Sequence, residues 1–181
     1  MKTCCGVMML SLATLAFAQD HKDYPKPGRE HHLLKQQFEG DWDAVSKHSQ
    51  DGKMEESRGM ESIKSGYGGY WLVLDYKGEM AGKPFTGHGT LGYDPFKKKY
   101  LMAWIDDVNP SAMWAEGEAD SQGKTFTFTS EGYCPDLGKM SKFRTVMEVQ
   151  DANHRTLTFY RPDHEGQYQK MGEIVYTRRT S

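Results

Sequence analysis

Tyr100, Met102, Trp104 and Asp106 alternate through the run YLMAWID, so an extended chain projects all four to one side. After a break at Asn109-Pro110, Ala112, Trp114, Glu116 and Glu118 do the same. If both faces turn inward, two indoles and several carboxylates converge. That is the make-up of a small-molecule pocket, with aromatic walls and a few polar anchors. Asp106 and Glu116 could instead work as an acid/base pair. The plain alternative is that these acids face water at turns, where most Asp and Glu lie. Two further residues join the set. His88 sits among glycines in TGHGTLGYD, either as a wall residue of a partly open cavity or exposed on the outer face. Arg144 alternates with Phe143 and Thr145, so it belongs to a solvated outer face or, if the interior is polar, anchors an anionic ligand.

Other chemistries lack their residues. The glycines around His88 are not followed by Lys-Ser/Thr and a helix, so they do not make a phosphate loop. Glycines within a strand mark bends or a close approach by another group. His31 and His32 are adjacent rather than four apart, and no other two histidines stand at a short metal-binding spacing. No GxSxG occurs, and Cys134 has no nearby histidine. Lys and Arg number 23 against 25 Asp and Glu, interspersed along the chain. Such a balance speaks against nucleic acid or an anionic membrane surface as a partner.

The elements that must hold these side chains are mostly strands. Turn segments at Gln50-Asp51-Gly52, Gly68-Gly69, Ala81-Gly82, Asp94-Pro95, Asn109-Pro110, Gln122-Gly123, Leu137-Gly138, Ala152-Asn153 and Glu165-Gly166 divide Asp41 to Arg178 into ten candidate strands. Within Lys124 to Thr129 the two Phe rings face one way and the three Thr hydroxyls the other. Short strands joined by tight turns favour an all-β, ten-stranded antiparallel up-and-down barrel over a Greek-key sandwich, which needs longer connections. A barrel of that width is not filled by its own side chains alone, so a cavity is expected. Arg29 to Phe38 reads as one short helix covering an end.

Residues 1–18, MKTCCGVMMLSLATLAFA, have the pattern of a secretory signal peptide cleaved between Ala18 and Gln19. Residues 19–28 form a flexible leader, and residues 29–181 suit a single domain. Cys4 and Cys5 lie in the expected signal, which leaves Cys134 without an internal disulfide partner. Beyond the signal no apolar run is long enough to span a bilayer, so export to the periplasm or the exterior is expected, without membrane insertion.

One pairing links the two ends of the strand region. FEGDWD places Trp42 at the start of the first strand, where its indole would plug one end of the barrel. In GEIVYTRR, Arg178 shares a face with Ile174 and Tyr176, so it can turn inward with them. A guanidinium over an indole is attractive and can also donate to main-chain carbonyls. Solvated tail charges are the competing reading of Arg178 and Arg179.

GDW at the head and YTRR at the tail resemble the Gly-x-Trp and terminal Arg of the calycin superfamily of lipocalins, fatty-acid-binding proteins and nitrobindins. EHHLLKQQFEGDWD, KPFTGHGTLGYDPFKKKYLMAWID, EGEADSQGKTFTFT, GKMSKFRTVMEV and NHRTLT, in that order, resemble the lipocalin-like family known as domain of unknown function 1579. That resemblance implies a fold and no reaction. Where the family often has Arg after the Gly-Gly pair, this chain has Tyr70, so no ligand contact by that Arg carries over. Nitrobindin-like barrels hold haem through one His, for which His88 is the strand-central candidate. The nitrobindin glycine-rich motif is missing after Trp42, so neither haem nor another cofactor is expected, and no metal. The leading expectation is an exported barrel that binds a small, largely apolar molecule. An enzyme using Asp106, Glu116 or His88, and an interaction module with a filled barrel, are the alternatives. Nothing in the sequence indicates the oligomeric state.

Overall fold

The computed structural model describes residues 25–50 and 53–180; the expected signal peptide and residues 19–24 of the leader lie outside the described residues. Helix α1 (Arg29–Phe38) is followed by β1 (Gly40–Gln50), β2 (Lys53–Gly66), β3 (Trp71–Met80), β4 (Lys83–Asp94), β5 (Lys99–Asp106), β6 (Met113–Ala119), β7 (Thr125–Cys134), β8 (Lys139–Val149), β9 (His154–Pro162) and β10 (Tyr168–Arg178). Each strand pairs antiparallel with its sequence neighbours, and β10 closes onto β1, giving a ten-stranded up-and-down barrel of lipocalin-like architecture. The expected helix and all ten strands are present, separated at the turn segments.

Alternation decides which side chains point inward. On β7, Phe126, Phe128 and Ser130 are buried while Thr127, Thr129 and Glu131 are exposed. Cross-strand partners share a face, so the register carries this assignment around the barrel. Thr145 and Met147 on β8 face Phe159 and Leu157 on β9, and Ile174 on β10 faces Leu157. The outer face carries charge on most strands, including Asp43, Lys64, Asp75, Lys77, Glu118 and Glu148. That differs from the apolar outward band of barrels that sit in lipid. Among the described residues, no helix is long and apolar enough to cross a membrane.

The two ends of the barrel differ. α1 lies over the end formed by the start of β3 and the close of β4, burying His31, Leu34 and Phe38. Phe38 packs edge-to-face on Phe126, and Phe126 on Tyr100, so this half is filled with aromatic rings. The opposite end, bounded by the hairpins β3–β4, β5–β6, β7–β8 and β9–β10, has no covering helix among the described residues.

Candidate functional site: an open cup above a charged floor

Trp42 and Arg178 are register partners on β1 and β10. The Arg178 guanidinium carbon lies 4.1 Å from the centroid of the Trp42 ring. Arg178 also donates to the carbonyls of Ala152, Glu39 and Gln37, while Trp42 Nε1 donates to the Phe38 carbonyl at 2.9 Å. These bonds tie the end of α1 and the β8–β9 turn to the last strand. Burial, and then the charge of Arg155, pull the Arg178 pKa below its ordinary value. Gly40 adopts φ +136°, and a Cβ there would lie 2.4 Å from Arg178 Nη1, so the glycine before Trp42 leaves space for the arginine.

A second arginine sits deeper. Arg155 is 2% exposed and bonds Glu61, which is 4% exposed. Its guanidinium carbon lies 3.6 Å from the Tyr176 ring centroid and 4.6 Å from that of Trp42. Low dielectric strengthens this pair, and the rings take the guanidinium faces. Burial, followed by the Glu61 charge, drives the Tyr176 hydroxyl well above its ordinary pKa and raises that of Tyr76. Glu61, Arg155, Tyr176 and Tyr76 form a charged and phenolic floor across the barrel.

Above that floor the inward residues become accessible. On β5 the sequence runs from buried Tyr100 and Met102 to half-buried Trp104 and Asp106; on β8 from buried Thr145 to half-buried Phe143 and Ser141; on β10 from buried Tyr176 to half-buried Ile174. This gradient shows that the barrel opens at the end opposite α1, and we term its open half the cup. On β1 and β2 the inward residues are small: Ala44 faces Gly59, whose Cβ position is taken by the Tyr76 phenol, and Ser46 faces Ser57 nearer the mouth. Trp104, Met113, Phe143 and Phe159 provide large side chains elsewhere around the wall. Trp104 lies across β4, since Cβ atoms at Gly87 and Gly89 would fall 2.1 and 2.8 Å from its ring. The indole therefore lines the wall as a flat aromatic surface and leaves the centre of the lumen to other atoms. Its Nε1 donates to Asp106 Oδ2 at 3.1 Å, and Asp106 Oδ1 accepts from the amides of Val108 and Asn109. Asp106 thus fixes both the Trp104 ring and the β5–β6 turn.

The expected convergence of two strand faces is corrected. Tyr100, Met102, Trp104 and Asp106 share the inward face of β5, but β6 turns Met113, Ala115 and Gly117 inward instead. Trp114 is 72% exposed, and Glu116 lies on the outside, where it accepts from Lys97 at 2.6 Å. The reason is packing: Gly117 faces Tyr100 and Phe128, and a Cβ there would meet the Phe128 ring at 2.6 Å. Large residues in that register would collide with the filled half of the barrel. Asp106 and Glu116 are consequently on opposite sides of the wall and do not form an acid/base pair. Arg144 is exposed, 4.0 Å from the Tyr168 ring centroid. His88 takes the outer of its two readings: it is half exposed, with Nδ1 2.7 Å from Asp75 Oδ1. A haem inside the barrel would find no axial ligand in His88. Outside, Asp75, Thr86, His88 and Asp107 line an open groove of about 370 Å³. Among the described residues, no cluster of three or more His, Cys, Asp or Glu could hold a metal ion.

Sequence reasoning missed Arg155 and Glu61 as interior residues and Phe159 as a wall residue, whereas Phe143 takes the apolar inner face expected opposite Arg144. A signal was there. Arg155 alternates with Leu157 and Phe159, and Glu61 with Ile63, so each charge shares a face with apolar residues.

A search of the curated proteins found no match. Among solved structures, the chain is similar to Rv2717c from M. tuberculosis, with TM-score 0.61 and 12% identity over 84% of this chain and 99% of that one. It is also similar to the S-type phycobiliprotein lyase CPES from Guillardia theta, with TM-score 0.54 and 11% identity over 86% and 99% of the two chains. At these identities the likeness concerns the fold. Residues 26–178 match the family described as protein of unknown function (DUF1579), and the chain belongs to that family.

Proposed function

We propose that this protein is exported and that the open half of its barrel binds a small, largely apolar or aromatic molecule. The observation that carries the binding reading is the cup itself. Aromatic and aliphatic side chains line it, Ser46 and Ser57 form a small stretch of wall on β1 and β2, and Trp104 lies along β4. Such a site takes its affinity from apolar area and its orientation from a few polar groups. The polar groups bordering it include Ser46, Ser57, Ser141, Asp106 and the His48–Glu55 pair toward the mouth, with Tyr76 at the floor. Export rests on residues 1–18, whose charged start, apolar run and Ala-Phe-Ala ending fit cleavage before Gln19.

Two experiments test the two halves of this reading. Native mass spectrometry of protein purified from its source is expected to show a co-purifying molecule that denaturation releases. Titration with 1-anilinonaphthalene-8-sulfonate, read by the directly excited emission of the dye, is expected to saturate. Ser46→Trp, which fills the small wall, should weaken that binding by about tenfold or more while leaving the far-UV spectrum unchanged. Binding unaffected by Ser46→Trp, together with no co-purifying molecule, would remove the cup as the site. For export, the intact mass should begin at Gln19 and the protein should leave the cytoplasm; a cytoplasmic chain retaining residues 1–18 refutes it.

A further inference from the structure

Five large apolar side chains gather on the outside of the barrel, independently of the cup. Trp114 is 72% exposed, Met140 64%, Tyr133 63%, Val108 62% and Ile105 54%. The register makes them neighbours. Trp114 on β6 pairs with Ala103 on β5, two residues from Ile105. Tyr133 on β7 pairs with Met140 on β8, and the β6–β7 register brings Trp114 opposite Glu131, again two residues away. Val108 lies in the connection between β5 and β6. The result is one patch across four adjacent strands near the mouth. Scattered apolar residues on a surface need no explanation, but a contiguous patch marks an interaction site.

We infer that this outer face of β5–β8 is the contact between two copies of the chain, related by a two-fold axis. Two arguments favour a second copy over other occupants. The first is area. Aromatic side chains offer roughly 150–250 Å² each and the aliphatic ones less, so the five exposed portions amount to about 500 Å² on one copy. A two-fold contact would then bury about 1,000 Å² in total, the threshold of a specific interface. The second is charge. Glu131 and Lys142 are both exposed and face each other across β7 and β8, beside Tyr133 and Met140. A two-fold axis parallel to the strands and between β7 and β8 sets Glu131 of each copy against Lys142 of the other and Tyr133 against Met140, with Trp114 on the adjacent β6 facing the partner's β9. A self-complementary surface of this kind meets the symmetry of a closed dimer. The same balanced pair gives an anionic lipid surface nothing to hold.

Sedimentation velocity of the mature protein from about 1 µM to about 1 mM tests the contact across the affinities expected of it. The expected result is a concentration-dependent shift from monomer to dimer. Trp114→Glu should remain monomeric throughout with an unchanged melting temperature, because position 114 lies on the surface. Glu131→Lys and Lys142→Glu should each weaken association by about tenfold, and combining them should restore it to within about threefold. A wild-type protein that stays monomeric overturns the proposal, as does a dimer indifferent to Trp114→Glu or a double reversal without recovery. Trp114-dependent co-sedimentation with phosphatidylcholine vesicles, without dimerisation, would also overturn it by showing lipid as the occupant.

Discussion

Arg155 and Glu61 are the most consequential single residues in the interior. Each holds its partner's charge away from water, so removing one leaves the other uncompensated. Arg155→Met is expected to destabilise the fold by about 3–5 kcal/mol in urea denaturation. The double change Glu61→Leu with Arg155→Met should lose markedly less, since apolar residues of similar volume replace a buried ion pair well. A double variant no better than the single would show that the pair acts through packing on Tyr176 and Trp42 instead. At this scale, alternation was a good guide to side and a poor guide to depth. It set Arg178 on the face of Ile174 and Tyr176, where it meets Trp42. By the same logic it placed Arg155 with Leu157, yet a charged residue in a polar-looking run reads first as solvated. Only the partner on a strand far along the chain explains its burial.

α1 is the element whose attachment responds to pH. The Gly28 amide donates to His31 Nδ1 at 3.1 Å, so the ring is an acceptor at that atom and must be unprotonated there. Tyr70 and Tyr93 pack edge-on to the ring, with centroids 5.7 and 5.9 Å away. Burial lowers the His31 pKa below its ordinary 6.5, against the opposing pull of the Tyr93 backbone and Glu30. The unfolded chain therefore binds a proton more readily than the folded one. Stability from this site is present above the ordinary value and declines as pH falls through it toward the folded value. Thermal melts between about pH 8 and pH 5 should show that decline, and His31→Gln should flatten part of it; an identical slope in the variant rules out His31 as the source. The strands tell a different story about legibility. β5 and β7 present bulky residues to one face, so period two identifies the inside directly. β6 has Trp114, Glu116 and Glu118 on one face against Met113, Ala115, Gly117 and Ala119 on the other. Size alone chooses the wrong face, because the filled half of the barrel has room only for the small set. The spacing of Lys97 and Lys99 against Glu116 and Glu118 held the correct answer: both pairs bond across the outer surface.

The whole molecule is a ring whose final link joins β10 to β1. Turn chemistry was enough to count the strands, because every connection is a neighbour-to-neighbour hairpin. The seam itself depends on Arg178. Arg178→Lys keeps the charge and loses the planar group that bonds three carbonyls while covering Trp42. A loss of about 1.5–3 kcal/mol is expected in chemical denaturation, with faster hydrogen exchange on β1 and β10 than on β5; equal protection on all three would place the weakness elsewhere. The contact from Arg178 to Glu39 spans 139 residues, and its consequence is kinetic. During synthesis, nine strands can exist before the one that completes the ring. Until it arrives, β1 and β9 expose free hydrogen-bonding edges to any passing chain. Refolding should therefore be slow for a protein of this size and sensitive to protein concentration.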